Sequence, residues 1–179
     1  MIALMSAFLV SIIPSTEAAT FGDFEYQLID SGNAVEITDY TGTGGAISIP
    51  STIVGKPVTI LGSNSFANTD VTSVVIPDSV LEVEDYAFDT CTDLVTVTIG
   101  NGVQTLGNYS FADCDVLTTV NMGDNVTTIG YSAFRYCTSL QSINLSSVVN
   151  LGNYAFLGCS GLTSVVLGEG LLSIGAGAF

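Results

Sequence analysis

The chain has 179 residues, 47% of them apolar, enough to bury a substantial core; 17 acidic side chains face two basic ones, for a formal net charge of −15. Two cations, Lys56 and Arg135, cannot supply the several phosphate contacts of nucleic-acid binding or the basic cluster that anionic lipid recruits. Histidine is absent, which removes Ser-His-Asp and Cys-His catalysis from the chain together with the commonest metal ligand.

Residues 2–13 (IALMSAFLVSII) form an apolar run too short to span a bilayer, followed by Pro14 and the small-residue stretch Thr16-Glu17-Ala18. This pattern predicts a secretory signal peptide over 1–18, cleaved after Ala18. The run lacks a preceding Lys or Arg, which suggests a lost or misassigned start. From Phe24 the chain reads FEYQLIDSGNAVEITDY, two alternating apolar runs around the turn cluster Asp30-Ser31-Gly32-Asn33. A β-hairpin is expected within 19–45, laid across the first coil of the array that follows as its N-terminal cap.

That array occupies 46–179. A small residue followed by Phe recurs at Phe66, Phe88, Phe111, Phe134, Phe156 and Phe179, at intervals of 22, 23, 23, 22 and 23 residues. Other apolar positions keep the same register. Leu94-Val95-Thr96-Val97-Thr98-Ile99 and its counterparts beginning at Val71, Leu117, Leu140 and Leu162 fit LxxIxL, and each is followed by a second apolar pair such as Val103 with Leu106 or Val126 with Ile129. Ala46-Ile47-Ser48-Ile49-Pro50 matches Ser73-Val74-Val75-Ile76-Pro77, which marks an earlier, altered coil. Gly62, Gly107, Gly130, Gly152 and Gly175 each stand four residues before a Phe, where a tight bend is expected; Glu84 breaks the rule. One coil of about 23 residues cannot bury its own apolar side chains, but coils stacked at about 4.8 Å let them form continuous columns. The LxxIxL segments should then pair as a parallel sheet, with each Phe and its small predecessor (Ala87, Ser110, Ala133, Ala155, Ala178) filling the opposite wall.

LxxIxL, a Gly or Pro turn, and VxxIGxxAFxxCxxL together resemble the BspA-like class of leucine-rich repeats over residues 46–179. FEYQ through YTGTGGAISIP and GKPVT resembles the capping region that often precedes such arrays. The fold so expected is an α/β-type solenoid: a parallel sheet on one face, short turns or helical pieces on the other, and an N-terminal hairpin cap. The resemblance implies a secreted or surface-anchored protein engaged in adhesion, with host matrix glycoproteins as partners in some members. The array stops in mid-coil at Ala178-Phe179, without CxxL or a polar cap, and reads as truncated.

Cys91, Cys114, Cys137 and Cys159 each fall three residues after a Phe. An even cysteine count in a secreted chain suggests disulfides, but one thiol per coil at an identical position favours small, buried, free cysteines. The outward positions of the LxxIxL segments form three columns. The first is Thr72, Val95, Thr118, Gln141 and Thr163; the second is Ser73, Thr96, Thr119, Ser142 and Ser164; the third is Val75, Thr98, Asn121, Asn144 and Val166. A rigid, uncharged face with many hydroxyls suits an extracellular protein or glycan. Thr and Ser also simply favour solvent-facing strand sites.

Tyr86, Tyr109 and Tyr154, two residues before a Phe, should line one edge of the opposite wall, either as interface anchors or as covers for apolar surface, the second role being favoured. Asp78, Asn101, Asp124 and Glu169 follow the strands and could form a weak calcium-binding edge, although no DxDxDG loop supports it and a solubilising role is favoured. Asn108-Tyr109-Ser110, Asn125-Val126-Thr127 and Asn144-Leu145-Ser146 match the glycosylation pattern by composition alone. No GxGxxG, GxxxxGK[ST] or HExxH motif occurs, and no cofactor, metal site or enzymatic activity is expected. The functional expectation is adhesion or protein/glycan binding through the sheet face, against a structural spacer without a specific ligand. Ice or mineral binding by the Ser/Thr column is weaker, because Val, Gln and Asn interrupt the flanking columns.

Overall fold

The structure is a computed structural model that describes residues 18–179. The expected leader lies outside the described residues apart from Ala18. In each LxxIxL segment the first, fourth and sixth side chains point inward; in the third coil Leu94, Val97 and Ile99 are all buried. Alternation of this kind is what a sheet with one face on a core requires.

Strands β4 (Gly45–Ser48), β7 (Val71–Ile76), β9 (Thr96–Ile99) and β11 (Thr119–Asn121) form a parallel sheet, and β13 (Ser142–Leu145) pairs with β15 (Ser164–Leu167) in the same sense. Ala46 pairs with Ser73, Ser73 with Thr96 and Thr96 with Thr119, so the altered first coil takes the register its sequence match implied.

The second apolar pair of each coil builds a sheet of its own. Short strands β8 (Glu82–Val83), β10 (Thr105–Leu106), β12 (Thr128–Ile129), β14 (Asn150–Leu151) and β16 (Ser173–Ile174) follow β6 (Lys56–Leu61) in parallel order. The N-terminal strands β1 (Ala19–Phe21), β2 (Phe24–Ile29) and β3 (Ala34–Tyr40) are antiparallel to one another, and β3 joins this second sheet by pairing in parallel with β6. β5 (Thr52–Ile53) folds back on β6 around Val54-Gly55.

The third wall corrects the α/β-type expectation. Among the described residues the one helical element is a single 3-10 turn, Asp30–Gly32, in the N-terminal hairpin; no helical piece stands opposite the sheet, and the fold is a β-solenoid. Two causes are visible. Backbone N–H groups that a helix would bond within itself are used between coils: Phe66, Phe88, Phe111 and Phe134 each donate to the carbonyl of Ala87, Ser110, Ala133 and Ala155 of the next coil, all at 2.8 Å. Moreover, the residues two before and two after the Phe are left-handed, as at Tyr86 (φ 61°) with Thr90 (φ 59°) and Tyr109 (φ 56°) with Asp113 (φ 56°), which interrupts any right-handed helix.

Between the walls runs one column of rings. Phe66, Phe88, Phe111, Phe134, Phe156 and Phe179 stack with centroids 4.7, 5.0, 5.2, 5.2 and 5.5 Å apart and planes within 15° of parallel. Tyr40 continues the column at 5.4 Å from Phe66, with Phe24 beside both, so the hairpin supplies its first rungs. Five of the six Phe are fully buried; Phe179, expected in the core, is 52% exposed because no described coil covers its outer face.

Candidate binding surfaces

The three outward columns of the LxxIxL face are in register. Ser73, Thr96 and Thr119 are successive partners, as are Val75, Thr98 and Asn121; Ser142 pairs with Ser164 and Asn144 with Val166. Thr72, Thr119, Asn121, Gln141, Ser142, Asn144, Thr163 and Ser164 are exposed, while Ser73, Thr96, Thr98 and Thr118 are half-buried. Hydrogen bonds along the axis fix part of the face: Thr118 Oγ1 donates to Val95 O and Thr163 Oγ1 to Gln141 O, each at 3.2 Å, and Asn121 Nδ2 donates to Thr98 Oγ1 at 3.2 Å. Between β11 and β13 the hydrogen-bonded ladder is interrupted. Where the third column meets the turn, an open depression of about 450 Å³ is lined by Val75, Thr98 and Asn121 on the sheet side and by Pro77, Asp78 and Met122 on the turn side. Sequence alignment finds the column but not this hollow, which depends on how the turn after each strand stands off the sheet.

The four cysteines are buried and free. Each thiol donates to the carbonyl of the Phe one coil earlier: Cys91 to Phe66 at 3.1 Å, Cys114 to Phe88 and Cys137 to Phe111 at 3.2 Å, and Cys159 to Phe134 at 3.0 Å. In the Phe66 coil Thr69 takes the same place, its hydroxyl donating to Phe66 O at 2.7 Å. The neighbouring Cys91 thiol and burial hold the Cys114 thiol well above the ordinary range, and the neighbouring Cys159 thiol and burial do the same for Cys137. The thiolate is the reactive form. In the folded protein Cys114 and Cys137 should therefore resist a thiol reagent at neutral pH, and all four thiols should titrate in denaturant; rapid labelling of Cys114 before unfolding would contradict this packing.

On the turn wall the tyrosines form a second ladder at the surface. Tyr86 and Tyr109 stack at 4.8 Å and 6°, Tyr109 meets Tyr131 at 5.4 Å and 55°, and Tyr131 meets Tyr154 edge to face at 5.6 Å and 81°. The Arg135 guanidinium lies 5.4 Å from the Tyr109 ring centre and 5.0 Å from that of Tyr136, and bonds Asp113 at 2.9 Å. That hydrogen bond raises the Arg135 pKa further. Tyr131 and Tyr136 are missed by the sequence pattern because neither stands two residues before a Phe.

A family model for the BspA type leucine-rich repeat region matches residues 59–179 in six copies. The chain belongs to the BspA-type leucine-rich repeat family. A leucine-rich cell surface protein from Faecalibacterium prausnitzii is 32% identical, with a TM-score of 0.82 over 92% of this chain and 46% of that one. The T. pallidum leucine-rich repeat protein is 28% identical, with a TM-score of 0.65 over 91% of this chain and 88% of that one. A leucine-rich repeat protein from Bacteroides ovatus, at 24% identity, shares the fold with a TM-score of 0.80 over 90% of this chain and 44% of that one. The chain thus spans less than half the length of the Faecalibacterium and Bacteroides proteins. No curated protein matches it.

In these BspA-type coils the polar turn residues have a structural task. Asp78 Oδ1 accepts the Asn101 N–H at 2.7 Å, and Asn101 Oδ1 accepts the Asp124 N–H at 3.0 Å, so the edge considered for calcium spends oxygens on the next coil's backbone. A parallel ladder runs from Asp85 to Asn108 and on to the Tyr131 N–H, at 2.7 and 2.8 Å. Where Glu84 replaces the usual glycine, its carboxylate accepts both the N–H and the hydroxyl of Ser63, at 3.0 and 2.9 Å. Burial, then the charges of Glu84 and Asp85, push the Glu82 carboxyl up; burial pushes Asp89 up against a hydrogen bond from Thr90.

Proposed function

We infer that this chain is a non-enzymatic binding scaffold of a secreted or cell-surface protein, and that it engages an extracellular protein or glycan, host matrix glycoproteins among the candidates, through the exposed face of its LxxIxL sheet. The observation that carries the reading is the in-register array Thr96–Thr119 and Thr98–Asn121 beside the hollow lined by Val75 and Met122. Donors and acceptors there are held by a backbone already ordered in the free protein, so binding costs little further entropy. The hollow adds the apolar contact that a flat hydroxyl surface lacks. The likeness to a protein described as a cell surface protein supports the location. With no histidine and with buried thiols, the described surface offers neither of the usual nucleophile–base pairs.

The test is a binding screen against matrix glycoproteins and a glycan array, repeated with Thr96→Glu, Thr119→Glu and Ser142→Glu combined. Binding should weaken by about 30-fold or more, since central contacts are worth 2 kcal/mol or more, while the melting temperature stays within a few degrees. Unchanged affinity would discard this face, and an empty screen with the unmodified protein would leave the spacer reading in its place.

A further inference from the structure

The sheet face makes no use of the tyrosine ladder on the turn wall. We propose that Tyr86, Tyr109, Tyr131 and Tyr154 form a second binding surface, which takes an uncharged polysaccharide laid along the solenoid axis.

The first observation is where the rings are placed. Tyr86, Tyr109 and Tyr154 occupy left-handed backbone positions, with φ of 61°, 56° and 59°. A bulky residue is disfavoured there by its Cβ and side chain. The end coils use the cheaper solutions at the equivalent site, Asn64 and Gly177. In the Phe134 coil the left-handed residue is Ser132, yet the ladder is not broken: Tyr131, one position earlier, brings its ring to 5.4 Å from Tyr109 and 5.6 Å from Tyr154. Ring continuity across four coils is thus kept through a change of register and against a backbone cost. Strain retained at a surface points to use of the side chain.

The second observation is the attitude of the rings. Tyr86 and Tyr109 stack, Tyr131 is tilted 55° from Tyr109, and Tyr154 stands 81° from Tyr131; Tyr86, Tyr131 and Tyr154 are 39%, 39% and 38% exposed. Tyr136, 46% exposed, extends the patch around the Arg135 guanidinium. An aromatic ring offers the apolar face of a sugar a matching surface, while its phenol hydroxyl can meet the sugar hydroxyls.

Charge and period narrow the ligand. The chain has 17 acidic and two basic residues, and the one arginine of the strip is paired with Asp113, so a sulfated or carboxylated chain is repelled. Successive rings stand 4.8 to 5.6 Å apart, close to one per coil. A ligand that itself repeats can meet several of them at once, each contact raising the effective concentration for the next. An unbranched neutral glycan has that form.

Affinity electrophoresis in gels cast with barley β-glucan, xyloglucan or galactomannan tests the proposal, with dextran sulfate as the anionic control. The intact chain should be retarded by a neutral glycan and not by dextran sulfate. Tyr131→Ala with Tyr154→Ala should weaken retardation by about tenfold or more, the scale of a loss of 1.4 kcal/mol, and Tyr131→Phe with Tyr154→Phe should keep most of it. The sheet-face triple variant should be retarded normally, so failure of the sheet-face reading and failure of this one are told apart. A readout that needs no variant is nitration of the unmodified protein mapped by mass spectrometry, in which the retarding glycan should protect Tyr131 and Tyr154. No retardation by any of the three glycans, retardation indifferent to the alanine pair, or nitration unaffected by glycan would each overturn the proposal. So would retention on an immobilised protein that alone depends on these tyrosines.

Discussion

Phe111→Ala should destabilise the protein by about 3–5 kcal/mol, the range for removing a large aromatic ring from a core that cannot close over the gap. Phe111 is fully buried in the middle of the column, 5.0 Å from Phe88 and 5.2 Å from Phe134. The backbones that carry those two rings are tied to the following coils by the bonds from Phe88 N–H to Ser110 O and from Phe134 N–H to Ala155 O, so neither can slide into the space. In a stacked array each coil is stabilised mainly by its neighbours. The cavity therefore weakens the interface on both sides, and denaturant unfolding should broaden or separate into two steps. Phe179→Ala removes the same ring where one face is already open, and should cost only about 1 kcal/mol on the area scale. Equal losses at the two positions would contradict the stacked column.

The second large effect is expected at a glycine. Gly130→Ala should cost about 3 kcal/mol, at or beyond the upper end of ordinary overpacking. An added Cβ would stand 2.7 Å from the carbonyl carbon of Gly107, 2.8 Å from the Asn108 nitrogen and 2.9 Å from the Gly107 oxygen. All three are backbone atoms of the preceding coil, which no rotamer change can move aside. The sequence suggests glycine here because a bend needs its conformational freedom. The structure gives another reason, since Gly107, Gly130, Gly152 and Gly175 have no positive φ and serve to let one coil lie on the next. Gly170→Ala is the control: a Cβ there meets nothing within 4 Å, so the change should be neutral or slightly stabilising. Thermal unfolding of the two variants beside the parent separates close approach from a generic glycine effect.

What was legible in the sequence is what repeats as a residue type. The LxxIxL register and the spaced Phe fixed the inward columns, and the outward columns Ser73–Thr96–Thr119 and Val75–Thr98–Asn121 followed by counting. The turn wall is not legible in the sequence because its conformation is not local. Nothing within Tyr86-Ala87-Phe88-Asp89 forbids a helical turn; the bond from Phe88 N to Ser110 O, across 22 residues, and the left-handed backbone at Tyr86 exclude it. The second sheet escaped for a similar reason. Thr105-Leu106 is too short to show strand alternation, and becomes a strand only between Glu82-Val83 and Thr128-Ile129. Of the candidate surfaces, composition showed the uncharged sheet face. The tyrosine ladder was half hidden, because Tyr131 enters it one residue out of register.

The central claim is that each coil lies parallel and in register on the one before it. Oxidative cross-linking of paired cysteines introduced on the outward face tests this most directly, with the four native thiols buried and out of reach. Ser73 and Thr96 are partners, as are Val75 and Thr98, and partner Cα atoms in a sheet fall within disulfide range. The pairs Ser73→Cys with Thr96→Cys and Val75→Cys with Thr98→Cys should both close readily, and the crossed pairs, 73 with 98 and 75 with 96, should stay open. Closure of the crossed pairs in preference to the aligned ones would mean antiparallel strands, and the solenoid could not stand.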